Sequence, residues 1–260
     1  MTRVLTALAA IALGSVVETR ADNSPETNAI LDKAIKAVGG DLLTGKFKAA
    51  RWKVKGMVHG AIPGRRPDAI GSGSVPFEGE VAAQFPDQFR LSTDSTVNGI
   101  KFGISTGLNH DKGWMLFSNG TRVPLDKKRL TAQKEDLYAE WVTTVVLLKD
   151  KSYTLTPLGE SKIEGHRVTG IKVASQGHRD INLYFDTDSG LLLKRERQVA
   201  DPRTGKEQKQ ESFYSDYKEF EGIKFPMKVT TKQDGALQRE ESRFDFKPLE
   251  KLDDQVFAEP

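Results

Sequence analysis

Residues 180–196 read D-I-N-L-Y-F-D-T-D-S-G-L-L-L-K-R-E, and this stretch decides the fold class. Ile181, Leu183 and Phe185 share one face of a strand, because side chains alternate along a strand. The turn D-T-D-S-G is rich in Asp and Ser and closes on Gly190, which readily adopts a positive φ. The stretch therefore predicts a β-hairpin with one apolar face, and it raises the question of what covers that face.

The C-terminal part of the chain repeats this pattern. From residue 152 onward, strand-like segments alternate with short turns that contain glycine. These turns lie at residues 164–165, 186–190, 201–205, 221–222 and 234–235. Turns at such regular spacing, with no helix between them, predict an antiparallel meander.

The N-terminal half predicts two helices among further strands. Residues 25–38 form an apolar stripe at helical spacing, with Ser24 as N-cap, Pro25 in the first turn and Gly39 at the end. Residues 126–148 predict a second amphipathic helix, which we expect to bend or split in its β-branched last turns. Strand-like alternation covers residues 51–58, 77–85, 89–91, 100–104 and 114–117, and a loop is predicted at 61–76.

These patterns predict a mainly β (α+β) protein of ten or eleven strands and two helical regions. No break in composition divides residues 22–260, so we expect a single domain. A twisted sheet of this size tends to curl, and its concave face has to be covered. The two amphipathic helices are the elements that would cover it.

Composition excludes several classes of function. The 260 residues include 39 basic and 36 acidic side chains, with no dense basic patch of the kind that binds nucleic acid. The absence of cysteine excludes disulfides, thiolate catalysis and the lipid anchor of a lipoprotein. Residues 1–21 carry Arg3, an uncharged apolar run and small residues before Ala21, which predicts a secretory signal peptide. We therefore expect an exported protein that is soluble in an aqueous compartment after cleavage.

No motif predicts catalysis, a metal or a cofactor. Residues 103–107, G-I-S-T-G, match the nucleophile elbow around Ser105, but that elbow requires a strand, a sharp turn and then a helix. The surroundings predict a strand followed by a loop instead. The four histidines are not paired at metal-binding spacing. We expect a protein that is not an enzyme.

Large apolar residues from alternating strands and the central helix are the candidate ligand-binding residues. Two interpretations stay open for them: ordinary core packing, or the wall of a cavity for an apolar ligand. The candidates are Trp52, Val54, Phe85, Phe89, Phe102, Trp114, Leu116, Leu137, Trp141 and Val145.

Several stretches follow one another in a recognisable order along the chain. They are G-E-V-A-A-Q-F-P-D-Q-F-R-L at 79–91, H-D-K-G-W-M-L at 110–116, the helical insert, P-L-G-E-S-K-I-E-G-H-R-V-T-G-I-K-V at 157–173, the hairpin, Y-S-D-Y-K-E-F-E-G-I-K-F-P at 214–226 and L-D-D-Q-V-F-A-E-P at 252–260. This order resembles the periplasmic lipoprotein-carrier (LolA-like) superfamily, including its group of exported outer membrane lipoprotein-sorting proteins. The resemblance covers nearly all of residues 22–260 and depends on the order of the pieces, because none is an invariant motif.

The resemblance implies a half-open antiparallel barrel with helices closing its concave face around lipid or acyl chains. It also implies an arginine that ties the helical lid to the barrel, for which Arg51 and Arg90 both qualify. The resulting hypothesis is a monomeric carrier or sensor of a lipid or acylated protein, with an envelope protein as a further partner. The alternative is an envelope scaffold whose own side chains fill the cavity. A hydrolase using Ser105 is the third hypothesis.

Overall fold

The computed structural model describes residues 24–40, 42, 47–60, 73–201 and 204–260. The predicted signal peptide at 1–21 lies outside the described residues, as does most of the loop predicted at 61–76.

Helix α1, Pro25–Val38, begins and ends as its sequence predicts. The Ser24 side chain accepts a hydrogen bond from the backbone N–H of Thr27, which satisfies one of the free donors of the first turn. Gly39 ends the helix at φ +129°, and a Cβ there would lie 2.7 Å from the Gly222 carbonyl oxygen. The second helix is α2, Lys127–Val142. No described helix combines the length and the apolar character needed to cross a membrane.

The described residues form one antiparallel sheet of thirteen strands. The first six strands are β1 Ala49–His59, β2 Ser74–Gln84, β3 Gln88–Val97, β4 Ile100–Asn109, β5 Lys112–Phe117 and β6 Arg122–Pro124. The other seven are β7 Tyr153–Ile163, β8 His166–Ser175, β9 Ile181–Asp186, β10 Leu192–Ala200, β11 Glu207–Phe220, β12 Ile223–Gln233 and β13 Ala236–Leu249.

The strand count exceeds the predicted ten or eleven for two local reasons. Strand β6 has three residues, which is too short for an alternating pattern to be visible. The segment predicted as one strand at 166–185 is divided into β8 and β9 by a turn at residues 176–178 that includes Gly177. The mainly β class and the antiparallel meander are confirmed.

The strand order makes the sheet a curved, half-open barrel. Strands β1 and β13 pair in the middle of the sheet, and the meander runs outward on both sides to the edges β6 and β7. These two edges follow each other in the chain, and α2 lies in the connection between them. The connection between edge strands β6 and β7 therefore runs as a helix over the inner face, and these two strands do not pair to close the sheet.

The β-branched run after α2 divides the predicted helix, as expected. The hydroxyls of Thr143 and Thr144 donate to the carbonyls of Glu140 and Trp141, at 2.6 Å and 2.7 Å. Such bonds compete with the helical ladder. Val145 then takes a left-handed conformation at φ +59°, and a short 3-10 turn, Val146–Lys149, follows.

The apolar face of the hairpin at residues 180–196 is covered by both helices. Ile181, Leu183 and Phe185 are at most 2% exposed and share one cluster with the buried faces of α1 and α2. The turn between β9 and β10 packs directly against α1, because a Cβ on Gly190 would lie 3.0 Å from the Lys33 carbonyl oxygen. Asp186 closes this turn by accepting hydrogen bonds from the backbone N–H groups of Asp188 and Ser189.

The sheet is covered on its outer face as well, in its other half. The C-terminal segment after β13 packs Leu252 and Phe257 against Ala49 and Ala82. The indole N–H of Trp114 donates to the Phe257 carbonyl at 3.2 Å. Apolar residues of β1–β5 are therefore buried on either face.

Candidate functional site

A hollow of about 470 Å³ lies on the inner face, beside the part that the helices fill. We call it the main hollow. Its sheet side comes from β1 and β10–β13, and its other side from the end of α2 and the turn that follows. Prominent lining residues are Val38, Ala50, Trp52, Phe85, Pro86, Glu140, Trp141, Thr143, Thr144, Leu147, Leu192, Tyr214, Tyr217, Phe225, Arg243 and Phe246.

One wall of the main hollow is aromatic. The rings of Phe225 and Phe246 stack with centroids 3.9 Å apart, and Trp52 lies 5.5 Å from Phe225. Trp141 of α2 stacks on Phe85 at 5.8 Å, with ring planes 7° apart. Broad apolar surfaces of this kind contact hydrocarbon without requiring a particular hydrogen-bonding pattern.

Buried arginines fix α2 over the sheet beside this wall. Arg195 of β10 donates to Glu140 at 2.9 Å and to the Ser212 hydroxyl at 3.3 Å. Arg243 of β13 lies 3.7 Å from the same carboxylate and 2.7 Å from Glu241. Glu140 therefore joins the helix to two strands at once.

A third arginine supports the preceding turn of α2. Arg197 pairs with Asp136 and also donates to the Glu135 carbonyl at 3.0 Å and to Gln210 at 2.9 Å. We refer to Arg195, Arg197 and Arg243 as the arginine cluster; all three are less than 9% exposed. Three buried cations facing carboxylates require a fixed geometry, because an unpaired charge in this position is costly.

The electrostatics of the site follow from burial and from this pairing. Burial by itself raises the pKa of the Glu140 carboxyl, but the charges of Arg195 and Arg243 outweigh it and hold the pKa below its ordinary value. Burial raises the pKa of the Tyr214 hydroxyl to about 12. At neutral pH the carboxylate is therefore ionised and the phenol is neutral.

Neither arginine suggested by the sequence ties the helix to the sheet. Arg51 is exposed on the outer face, where it pairs in register with Ala82 and Lys247. Arg90 donates to the carbonyl of Val256 at 3.3 Å and lies over the Trp114 ring at 5.7 Å. The resemblance alone did not assign the tying arginine to one position, and the arginine cluster provides the contact with α2 instead.

Three of the ten predicted binding residues, Trp52, Phe85 and Trp141, line the main hollow. Val54 and Phe89 lie on the same face of the sheet but pack with Phe77 and Val81 in a separate cluster. Phe102 lies across β3 from Phe77 on that face.

The other four candidates lie elsewhere. Leu137 and Val145 are buried, at 3% and 1% exposure, and neither lines the hollow. The pairing register of β1–β5 places Trp52 in one row across the sheet with Val81, Leu91, Thr106 and Met115, and this row lies on the inner face. Trp114 and Leu116 flank Met115, so they point to the outer face.

Most residues of the site were not predicted from the sequence. Phe225, Phe246, Tyr214 and Tyr217 come from the C-terminal meander, where the glycine-containing turns predict strands but do not show which aromatic residues face inward. The arginine cluster did leave a signal. Arg195 and Arg197 are two apart on a strand, and Asp136 and Glu140 are four apart on a helix, which places each pair on one face.

The structure gives no support to a hydrolase built on Ser105. Ser105 lies in the middle of β4, and its hydroxyl donates to the Ser92 hydroxyl at 2.8 Å. The strand, turn and helix of a nucleophile elbow are therefore not present around it. Within the described ranges, no three acidic or histidine side chains are grouped closely enough to hold a metal ion.

Solved structures with the same architecture identify the fold. A LolA superfamily protein from Nitrosomonas europaea superposes with a TM-score of 0.54 at 14% identity, over 89% of this chain and 97% of the other. The fold is LolA-like. A domain described as an outer membrane lipoprotein-sorting protein, from Vibrio parahaemolyticus, gives 0.52 at 11% identity over 88% and 94% of the two chains.

The LolA-like fold also extends to a further group of proteins. A DUF1329 family protein from Desulfovibrio piger superposes with a TM-score of 0.55 at 12% identity, over 89% of this chain and 96% of the other. No protein-family model and no curated protein matches the sequence. At these identities the comparisons establish the LolA-like fold, and the site has to be interpreted from its own residues.

Proposed function

We propose that this protein binds a lipid, an acyl chain or an acylated protein in the main hollow and acts as a carrier or sensor. The observation that carries the proposal is that the helices fill only one half of the inner face. The other half keeps about 470 Å³ of space with an aromatic wall. Ligand sites are typically apolar concavities of 300–1,000 Å³ with a few polar groups. The LolA-like fold supports the same conclusion.

The proposal includes an exported protein without catalytic activity. Residues 22–260 would act as one monomeric domain in the periplasm after removal of residues 1–21, with an envelope protein as donor or acceptor of the ligand. The apolar run after Arg3 supports export. The alternative, a scaffold with a self-filled core, predicts that the main hollow takes up no ligand.

Binding of N-phenyl-1-naphthylamine, an apolar fluorescent probe, tests the proposal. We expect Trp141→Ala to weaken probe affinity about tenfold, a loss of about 1.4 kcal/mol, because the indole contributes a large apolar surface to the hollow. The free energy of unfolding should change little by comparison, since Trp141 is only half-buried.

Tyr184→Ala is the matched control, because Tyr184 alternates with buried residues of β9 and lies on the outer face. It should leave probe affinity unchanged. Native mass spectrometry of gently purified protein should detect a bound lipid. A clean apo mass, with no probe binding by wild-type protein, would establish the scaffold alternative instead.

A further inference from the structure

A second hollow of about 280 Å³ lies next to the main hollow, on the other side of Trp141. Trp141 and Pro86 line both spaces. The stack of Trp141 on Phe85, with centroids 5.8 Å apart, stands where the two spaces meet. The two rings are held together by their apolar contact surface. The boundary between the two hollows is therefore a non-covalent contact between two side chains, without an ion pair.

The spacing of residues along α2 explains this division. Lys134, Tyr138 and Trp141 are four and three residues apart, so they form one stripe facing the second hollow. Glu140, on the neighbouring side of α2, faces the main hollow together with Thr144, which follows the helix. Trp141 lies at the border of the two sides and contributes to both walls.

The second hollow differs from the main one in its chemistry. Beside its aromatic and apolar residues it presents Asp87, Lys134, Ser175, Gln176 and His178. These polar groups can form hydrogen bonds with a headgroup, whereas a hydrocarbon chain would leave them without partners. The two adjacent spaces thus match the two ends of an amphiphile.

The ionisable groups around the second hollow already have partners on the protein. Lys134 lies 2.6 Å from Asp111, and His178 lies 2.7 Å from Glu135. Asp87 lies 2.7 Å from His110.

The remaining polar groups of the second hollow are uncharged. They are the Ser175 hydroxyl, the Tyr153 and Tyr138 phenols and the Gln176 amide. A charged headgroup would compete with ion pairs that already exist, whereas a neutral headgroup needs only hydrogen bonds.

We infer that the ligand is an amphiphile with an uncharged, hydroxyl- or ester-bearing headgroup, of the monoacylglycerol class. Its headgroup occupies the second hollow, and its acyl chain passes the Trp141–Phe85 stack into the main hollow. This inference rests on the proposed function and specifies the substrate class of the same site. It assigns Ser175, Gln176 and Tyr153 to headgroup recognition.

The test compares three probes on one set of variants. N-Phenyl-1-naphthylamine has no headgroup, 1-monopalmitoylglycerol has a neutral one and palmitate has a charged one. Ser175→Phe fills the second hollow from the end of β8. We expect it to weaken 1-monopalmitoylglycerol at least tenfold and to leave N-phenyl-1-naphthylamine within twofold of wild type. Wild-type protein should bind 1-monopalmitoylglycerol more tightly than palmitate.

Two further variants keep the test decisive. Thr156→Phe adds the same ring on an exposed position of β7 and should change none of the affinities. Gln176→Leu, at an exposed turn position where folding is not at risk, should weaken only 1-monopalmitoylglycerol, by several-fold.

The possible results separate this inference from the proposed function. If wild-type protein binds none of the three probes, the proposed function fails. If N-phenyl-1-naphthylamine binds but neither Ser175→Phe nor Gln176→Leu affects 1-monopalmitoylglycerol, the headgroup assignment alone is overturned. Tighter binding of palmitate than of 1-monopalmitoylglycerol would overturn the neutral class.

Discussion

Replacing Phe185 with alanine is expected to lower the free energy of unfolding by about 3–5 kcal/mol, the usual cost of truncating a buried phenylalanine. Phe185 is 2% exposed and lies in the cluster that joins α1 and α2 to the sheet. Its removal leaves a cavity between three elements, and the surrounding backbone is held by the β8–β9 and β9–β10 ladders. Chemical denaturation of the two proteins measures the difference.

Tyr184→Ala is the control for this prediction, on the neighbouring residue of the same strand. Tyr184 faces outward, where its ring lies 5.3 Å from the ammonium of Lys194. We expect a loss of about 1 kcal/mol, typical of point substitutions outside a core. Equal losses for the two variants would contradict the assignment of the inner face.

The alternation in residues 180–196 was sufficient to predict this face correctly. Apolar residues at every second position identify the side chains that are buried, and the Asp- and Gly-rich turn sets the register of the hairpin. Neither feature states what lies above the face. That depends on contacts between α1, α2 and β9, which are distant in sequence, so only the structure shows that helices cover it.

The binding residues were harder to predict, because β1–β5 bury apolar residues on both faces. Trp52 lies inside the barrel, whereas Trp114 lies outside under the C-terminal segment. In each of these strands the apolar residues occupy alternate positions. That alternation does not show whether they face the inside or the outside of the barrel. The pairing register between strands decides it, and that register is a long-range property.

The arginine cluster was missed for a different reason. A run of charged residues on a strand is usually a solvated stretch, and Arg195 and Arg197 lie within the run K-R-E-R at 194–197. They are buried because α2 brings carboxylates onto the sheet directly opposite them. A buried charge of this kind is explained by its partner, which lies more than fifty residues away in the chain.

Replacing Glu140 with alanine is expected to lower the free energy of unfolding by about 3 kcal/mol. Removing one partner of a buried ion pair costs about 3–5 kcal/mol, because the other charge stays buried and unpaired. The lower end applies here, since the Glu140 side chain is 34% exposed and Arg243 keeps its contact with Glu241. Arg195 would keep only the Ser212 hydroxyl among its hydrogen-bond partners given above.

Asp136→Ala is the matched control, one helical turn earlier. Its carboxylate is 57% exposed, and Arg197 keeps both Gln210 and the Glu135 carbonyl when the carboxylate is removed. We therefore expect a loss of at most about 1 kcal/mol, as for exposed ion pairs. A larger loss from Asp136→Ala than from Glu140→Ala would contradict the assignment of Glu140 as the principal anchor of α2.

The dependence of stability on pH distinguishes the charge of Glu140 from its packing. Arg195 and Arg243 outweigh burial and hold the Glu140 pKa below its ordinary value. Its stabilising contribution is therefore fully present above the unfolded pKa of about 4.3 and is lost as pH falls through the lower folded pKa. Glu140→Gln keeps the shape but removes the titration. Its stability deficit relative to wild type should be constant from pH 7 to about pH 5 and should shrink below pH 4. A deficit that stays constant to pH 3 would show that Glu140 acts through packing alone, and the arginine cluster would then hold α2 without an ionised partner at this position.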